Sequence, residues 1–174
     1  ANLGVAVSVL GALRDEGWSI TADSIRRGLA AVRWPGRGEV VREHPWILLD
    51  AAHNPAGAAA LVATLDALAS SRHRRLLVGV FADKDVDAIA DAFAPAFGEI
   101  IATESSSERA MPADDVAAAL GRLGASVTVS HTVAEGLEVA LRGLREEDVL
   151  VISGSLTVVG EARAALIGGP CDSP

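Results

Sequence analysis

The chain has 174 residues, half of them hydrophobic, and a formal net charge of −8. That length suits one α/β domain with a large core, or one domain plus a fragment of another. The acidic balance argues against a nucleic-acid surface built on bulk charge, no uncharged apolar run approaches the ~18 residues of a membrane span, and no signal-peptide pattern opens the chain.

Residues 2–16, "NLGVAVSVLGALRDE", carry Leu3, Val7, Leu10 and Leu13 at helical spacing. Residues 21–32 form a second expected helix, with Thr21 as N-cap and Ile25, Leu29 and Val32 on one face. "RWPGRG" breaks that pattern and sets a boundary near residue 34. The chain begins without methionine inside the first helical pattern, so it reads as a piece of a longer or processed product.

Beyond the boundary the pattern changes. "EVVRE" and "WILLDAA" read as antiparallel strands joined by a tight His-Pro turn. Helices and strands then alternate: helix 56–70, strand 75–81, helix 85–94, strand 99–103, helix 112–123, strand 126–130, helix 133–143, strand 148–153 and helix 157–167. The strands are mostly continuous apolar runs, as in a parallel sheet covered on both faces. The expected fold is a Rossmann-like three-layer α/β sandwich. Its sheet is mostly parallel and roughly six-stranded, with the first strand antiparallel. Two helices precede it, and 168–174 is a flexible tail.

Open parallel sheets bind ligands beyond the carboxyl ends of their strands. Four polar stretches fall there: "DAAHNP", "FADKD", "TESSSERAMP" and "SGSLTVVGEAR". In the first, Asn54 suits an N-cap and Pro55 the first helical position, an end that favours an anion. The dinucleotide fingerprint, a Walker A loop and G-x-S-x-G are all absent from the chain. Its four histidines are scattered and its one cysteine, Cys171, lies in the tail. No zinc spacing or internal disulfide follows, and a reducing cytoplasm is the natural setting.

The succession "WPGR" followed by a glutamate, "LLDAAHNPAGA", "GVFADKD", "RAMP" and "GSLTVVGEAR" closely resembles folylpolyglutamate synthase/dihydrofolate synthase of the Mur ligase superfamily, from residue 1 to about 167. The resemblance implies an ATP-dependent ligase that adds L-glutamate to dihydropteroate or folates through an acyl phosphate. It makes 1–33 the last helices of the ATP-binding domain and 34–167 the glutamate-ligase domain. The phosphate loop and the Mg²⁺ ligands are expected upstream, in the rest of that ATPase domain, and no metal site is expected here. The resemblance implies ATP contacts for Asn2, Arg37 and Asp50. It implies a glutamate-region role for His53, Lys84 and Ser155, with His53 also the catalytic candidate. Arg109 reads as structural, and Ala51 stands where many relatives carry glycine. The implied full-length enzyme is cytoplasmic and monomeric and binds neither nucleic acid nor membrane. Two alternatives stay open: a non-catalytic Rossmann-like nucleotide-binding module, and another Mur-type amino-acid ligase.

Overall fold

The structure, a computed structural model, describes residues 2–69 and 72–168, with the side chain of Asn2 outside the described parts. The expected tail, Cys171 included, therefore lies beyond them but for Gly168. The chain divides into two compact units, 1–33 and 34–174. In the first, α1 (Asn2–Asp15) and α2 (Ala22–Ala31) are joined by a short turn. Thr21 and Ser24 form a reciprocal capping box at the start of α2. Leu3, Val5, Val9, Trp18 and Val32 are exposed in this unit.

The second unit is built on a six-stranded sheet: β1 (Glu39–Glu43), β2 (Trp46–Asp50), β3 (Arg74–Val78), β4 (Glu99–Thr103), β5 (Val127–Ser130) and β6 (Val149–Ser153). The order is β1-β2-β6-β3-β4-β5, with β1 antiparallel to β2 and every other pair parallel. The helices are α3 (Pro55–Ala69), α4 (Val86–Phe93), α5 (Ala113–Gly121), α6 (Val133–Leu141) and α7 (Leu156–Ile167).

Strand side chains alternate between two cores, as the pleat requires. Leu48, Leu76, Val78, Ile100, Val149 and Val151 pack under α3, α4 and α5. Ile47, Leu49, Leu77, Ile101, Leu150 and Ile152 pack under α6 and α7. Right-handed crossovers explain the division. The chain steps outward from β2 through β3 and β4 to β5 with helices on one face. It then reverses to insert β6 between β2 and β3, which puts α6 and α7 on the other face.

Two consecutive arginines open β3, so their side chains leave on opposite faces. Arg74 donates to the carbonyls of Leu65 and Ala69 at the end of α3 and pairs with Asp66. Arg75 donates to the carbonyls of Ala140 and Arg142 at the end of α6 and pairs with Glu99. Each satisfies at least one carbonyl that a helix end leaves without an intrahelical partner, Ala69 for Arg74 and Ala140 for Arg75. Both helical layers are thus tied to the amino edge of one strand, and the carboxyl edge is left to loops.

The expected strand at 75–81 is shorter in the structure, ending at Val78. Phe81 instead pairs across to Ala110, and Met111 N–H donates to the Val80 carbonyl, so the segment joins the loop after β4. Likewise β2 stops at Asp50, where the chain turns into the cap of α3.

Candidate functional site at the carboxyl edge of the sheet

The neighbours β2 and β6 send their following helices to opposite faces, which opens a crevice at their carboxyl ends. The turn 34–38 lies over this edge. Three backbone and side-chain contacts hold it there: Ala51 N–H donates to the Gly36 carbonyl at 2.8 Å, Gly36 N–H to Glu39 Oε2 at 2.8 Å, and Gly38 N–H to Asp50 Oδ2 at 2.9 Å. Gly36 has φ +69°, and an added Cβ would stand 2.8 Å from Val159 Cγ1 of α7. Only glycine lets the turn seat so closely on that helix.

Arg37 is therefore presented from an anchored turn, its guanidinium 5.6 Å from the Trp34 ring centroid. Asp50 ends β2 half-buried. Burial pushes its carboxyl above the ordinary carboxylate value, against the lowering effects of the Gly38 N–H, the Arg37 charge and the Ala52 N–H. A carboxylate offers about four acceptor positions, so backbone bonding leaves capacity for ligand hydroxyls.

The same edge continues into α3. Asn54 Oδ1 accepts from Gly57 N–H at 2.8 Å, capping the helix that Pro55 opens. His53 Nδ1 lies 2.8 Å from the Ala51 carbonyl oxygen. A carbonyl only accepts, so Nδ1 carries the proton and a neutral ring offers Nε2 as an acceptor. Arg37, Asp50, His53 and Asn54 all line one cleft of about 490 Å³. Its lining also includes apolar side chains, among them Trp46 and Leu48 on the sheet and Leu61 and Leu65 on α3.

Ser155 and Lys84 stand on the same sheet edge but do not line that cleft. Ser155 is buried at the end of β6, where its Oγ accepts from Val158 N–H at 3.2 Å and caps α7. Its hydroxyl also meets Thr157 Oγ1 at 3.2 Å, which in turn meets Ser105 Oγ at 2.8 Å. Lys84 Nζ bonds Asp83 Oδ2 at 2.8 Å, and Arg109 bonds the other oxygen at 3.0 Å. Those two bonds, Lys84 first, hold the Asp83 carboxyl down at about 2. Arg109 also lies 4.6 Å from the Phe81 ring centroid, so it clasps the loops after β3 and β4 together. Asn2 is the first residue of α1, in the other unit, and its side chain lies outside the described residues.

Arg37 and Asp50 fit a nucleotide, with a fork of donors for phosphate and an acceptor for hydroxyls beside an apolar-walled cleft. Among the described residues no three His, Cys, Asp or Glu side chains are grouped to hold a metal ion. No described helix is long and apolar enough to cross a membrane.

Residues 36–156 match the family model described as Mur ligase, glutamate ligase domain. The chain belongs to that family. Among curated relatives, the Mycobacterium tuberculosis dihydrofolate synthase/folylpolyglutamate synthase is 38% identical over 162 residues, covering 83% of this chain and 33% of that protein. The Lacticaseibacillus casei folylpolyglutamate synthase is 35% identical over 154 residues, covering 87% of this chain and 34% of its own length. The glutamate ligase domain and the helices before it thus span about a third of these relatives.

Solved structures agree. A Mycobacterium tuberculosis folylpolyglutamate synthase complexed with ADP and AMPPCP superposes with a TM-score of 0.79 at 34% identity, over 89% of this chain and 37% of that one. Escherichia coli FolC in complex with DHPP and ADP gives 0.80 at 26% identity, over 90% and 36%. A Yersinia pestis bifunctional folylpolyglutamate synthase/dihydrofolate synthase with Mn, AMPPNP and L-glutamate bound gives 0.81 at 29% identity, over 90% and 37%.

One site residue had little signal in the sequence. Glu39 stood out only as the acid after "WPGR", yet it bonds the turn that carries Arg37.

Proposed function

We propose that the chain is the C-terminal part of an ATP-dependent ligase that joins L-glutamate to dihydropteroate, to folates, or to both. One observation carries the reading: a phosphate-pairing fork, Arg37, and a hydroxyl-accepting carboxylate, Asp50, line one cleft that runs along β2 and α3 and includes the carboxyl end of β2. The relatives' names, and the nucleotides and glutamate in the solved neighbours, support it.

In this reading ATP supplies the phosphoryl group that turns the acceptor carboxylate into an acyl phosphate, which the amine of glutamate attacks. Arg37 pairs with nucleotide phosphate oxygens, and Asp50 accepts from ribose hydroxyls. The family resemblance carries Asn2 over as an ATP contact. Lys84 and Ser155 serve the glutamate region. His53, with Nε2 free to accept, receives a proton from its amine. Residues 1–33 close the ATP-binding domain, 34–167 form the glutamate-ligase domain, and the Mg²⁺ ligands come from the upstream domain. The complete enzyme is a cytoplasmic monomer.

A chimera tests the reading, with this chain replacing the corresponding third of the Mycobacterium tuberculosis relative. ADP release should require both glutamate and a pteroate or folate acceptor. Arg37→Ala should lower kcat/KM by about 30- to 1,000-fold, the equivalent of ~2–4 kcal/mol of transition-state charge stabilisation. Arg109→Ala should act on stability alone, and weakly, because its ion pair with Asp83 is exposed. The isolated chain, which carries no Walker A loop, should release no phosphate. A folded chimera that binds ADP without turnover would favour a binding module, and equal losses from the two arginine variants would overturn the assignment of Arg37.

A further inference from the structure

We infer that Glu39 is a positioning residue for nucleotide binding: through Gly36 and Arg163 it clamps the turn that presents Arg37 and the Gly38 N–H to Asp50. The inference rests on the nucleotide reading of this cleft and adds to it a residue that touches no ligand.

Glu39 opens β1 and pairs in register with Leu49, one residue before Asp50. Its carboxylate makes two kinds of contact. Oε2 accepts from the Gly36 N–H at 2.8 Å, the residue just before Arg37. Both oxygens also lie 3.1 Å from Arg163 Nε on α7. The two side chains are largely buried, with 22% and 18% exposure, so solvent screens the pair less than a surface bridge.

The geometry makes the turn a closed loop. Gly36 is held on one side by Glu39 and on the other by the Ala51 N–H. Two residues on, the Gly38 N–H reaches Asp50 at 2.9 Å. Arg37 sits between those fixed points, and its exposed guanidinium depends on the backbone for its aim. Removing the Glu39 carboxylate frees the Gly36 N–H and leaves Arg163 without this acceptor. The turn then keeps its bonds to Ala51 and Asp50 but loses the one beside Arg37. Held on the helix that Ser155 caps, the turn also keeps a fixed relation to the end of β6.

The experiment uses the full 174-residue chain in solution. Hydrogen exchange reads the Gly38 amide, an ADP titration followed by amide chemical shifts reads affinity, and the amides of β6 report the fold. In Glu39→Ala, Gly38 exchange should quicken about tenfold and ADP affinity should fall about tenfold, the scale of one charge-assisted hydrogen bond. The β6 amides should stay protected. Glu39→Gln keeps an acceptor for the Gly36 N–H and should recover most of both effects. Unchanged Gly38 exchange and ADP affinity in Glu39→Ala would overturn the inference. So would a loss of β6 protection equal to that at Gly38, since Glu39 would then be a general stabiliser. If the unsubstituted chain shows no ADP response, the affinity comparison is made in the chimera, and the Gly38 exchange still decides whether Glu39 clamps the turn.

Discussion

Gly154→Ala should be among the most damaging single-methyl additions in the sheet domain. Gly154 follows β6 with φ +102°, a backbone conformation that costs an L-residue ~1–2 kcal/mol. An alanine Cβ there would stand 2.5 Å from the Gly79 carbonyl oxygen and 3.0 Å from both the Gly79 carbonyl carbon and Val78 Cγ2. Neither partner can yield easily. Val78 is in register with Ser153, and the Gly79 N–H donates to the Ser153 carbonyl at 3.3 Å. Forcing those strand ends apart adds overpacking strain of ~1–3 kcal/mol. The sum, ~3 kcal/mol, corresponds to a Tm about 10 °C lower for a unit of this size. Calorimetry on the full chain reads it, with Gly160→Ala as the control. Gly160 lies inside α7 with nothing near an added Cβ, so alanine there should stabilise by ~0.5–1 kcal/mol. A Tm for Gly154→Ala within about 2 °C of the unsubstituted chain, equivalent to under ~1 kcal/mol, would refute the reasoning.

Two further outcomes follow from other parts of the domain. Asp50 has a folded-state pKa raised by burial, so the folded chain binds its proton more tightly than the unfolded one. Its contribution to stability is therefore favourable at low pH and is lost as pH rises from the ordinary carboxylate value through the folded one. Urea melts should show Asp50→Asn at least as stable as the unsubstituted chain at pH 7, yet weaker in ADP binding, and a clear destabilisation at pH 7 would contradict the sign. Arg75→Met should cost ~2–4 kcal/mol in the same melts, because the carbonyls of Ala140 and Arg142 and the Glu99 carboxylate lose a buried donor. Arg75→Lys should fall between, and a loss under ~0.5 kcal/mol for Arg75→Met would mean that the end of α6 is held by something else.

The strands were legible because each is a short apolar run between turn signals, and the antiparallel first pair because His44-Pro45 leaves room only for a tight turn. Asn54 and Pro55 announced the start of α3 by side-chain chemistry alone. What stayed hidden depends on contacts between distant segments. Val80 and Phe81 look like strand, yet the loop after β4 captures them. Arg74 and Arg75 look like charges at a strand entrance, and their task appears only when two helices end beside them. The cleft residues Arg37, Asp50 and His53 could be picked out from motif spelling, but not the Gly38–Asp50 bond, since a backbone N–H leaves no mark in composition. The strand order was likewise invisible, because neither neighbour of β6 adjoins it in the chain.

That order has a consequence for how the domain comes into being. β6 is the last strand made and one of the most central, pairing with β2 about a hundred residues upstream and with β3 on its other side. Until it emerges from the ribosome, β1–β2 is a lone hairpin and β3–β4–β5 a separate three-stranded piece, each presenting a raw edge where β6 belongs. Such edges invite pairing with other chains. A nascent chain stopped before residue 149 would therefore carry Arg37 and Asp50 without the strand that pairs with β2 along its length. Folding of this unit should be slow and governed by loop closure, with the carboxyl edge of the sheet completed only when β6 is threaded home.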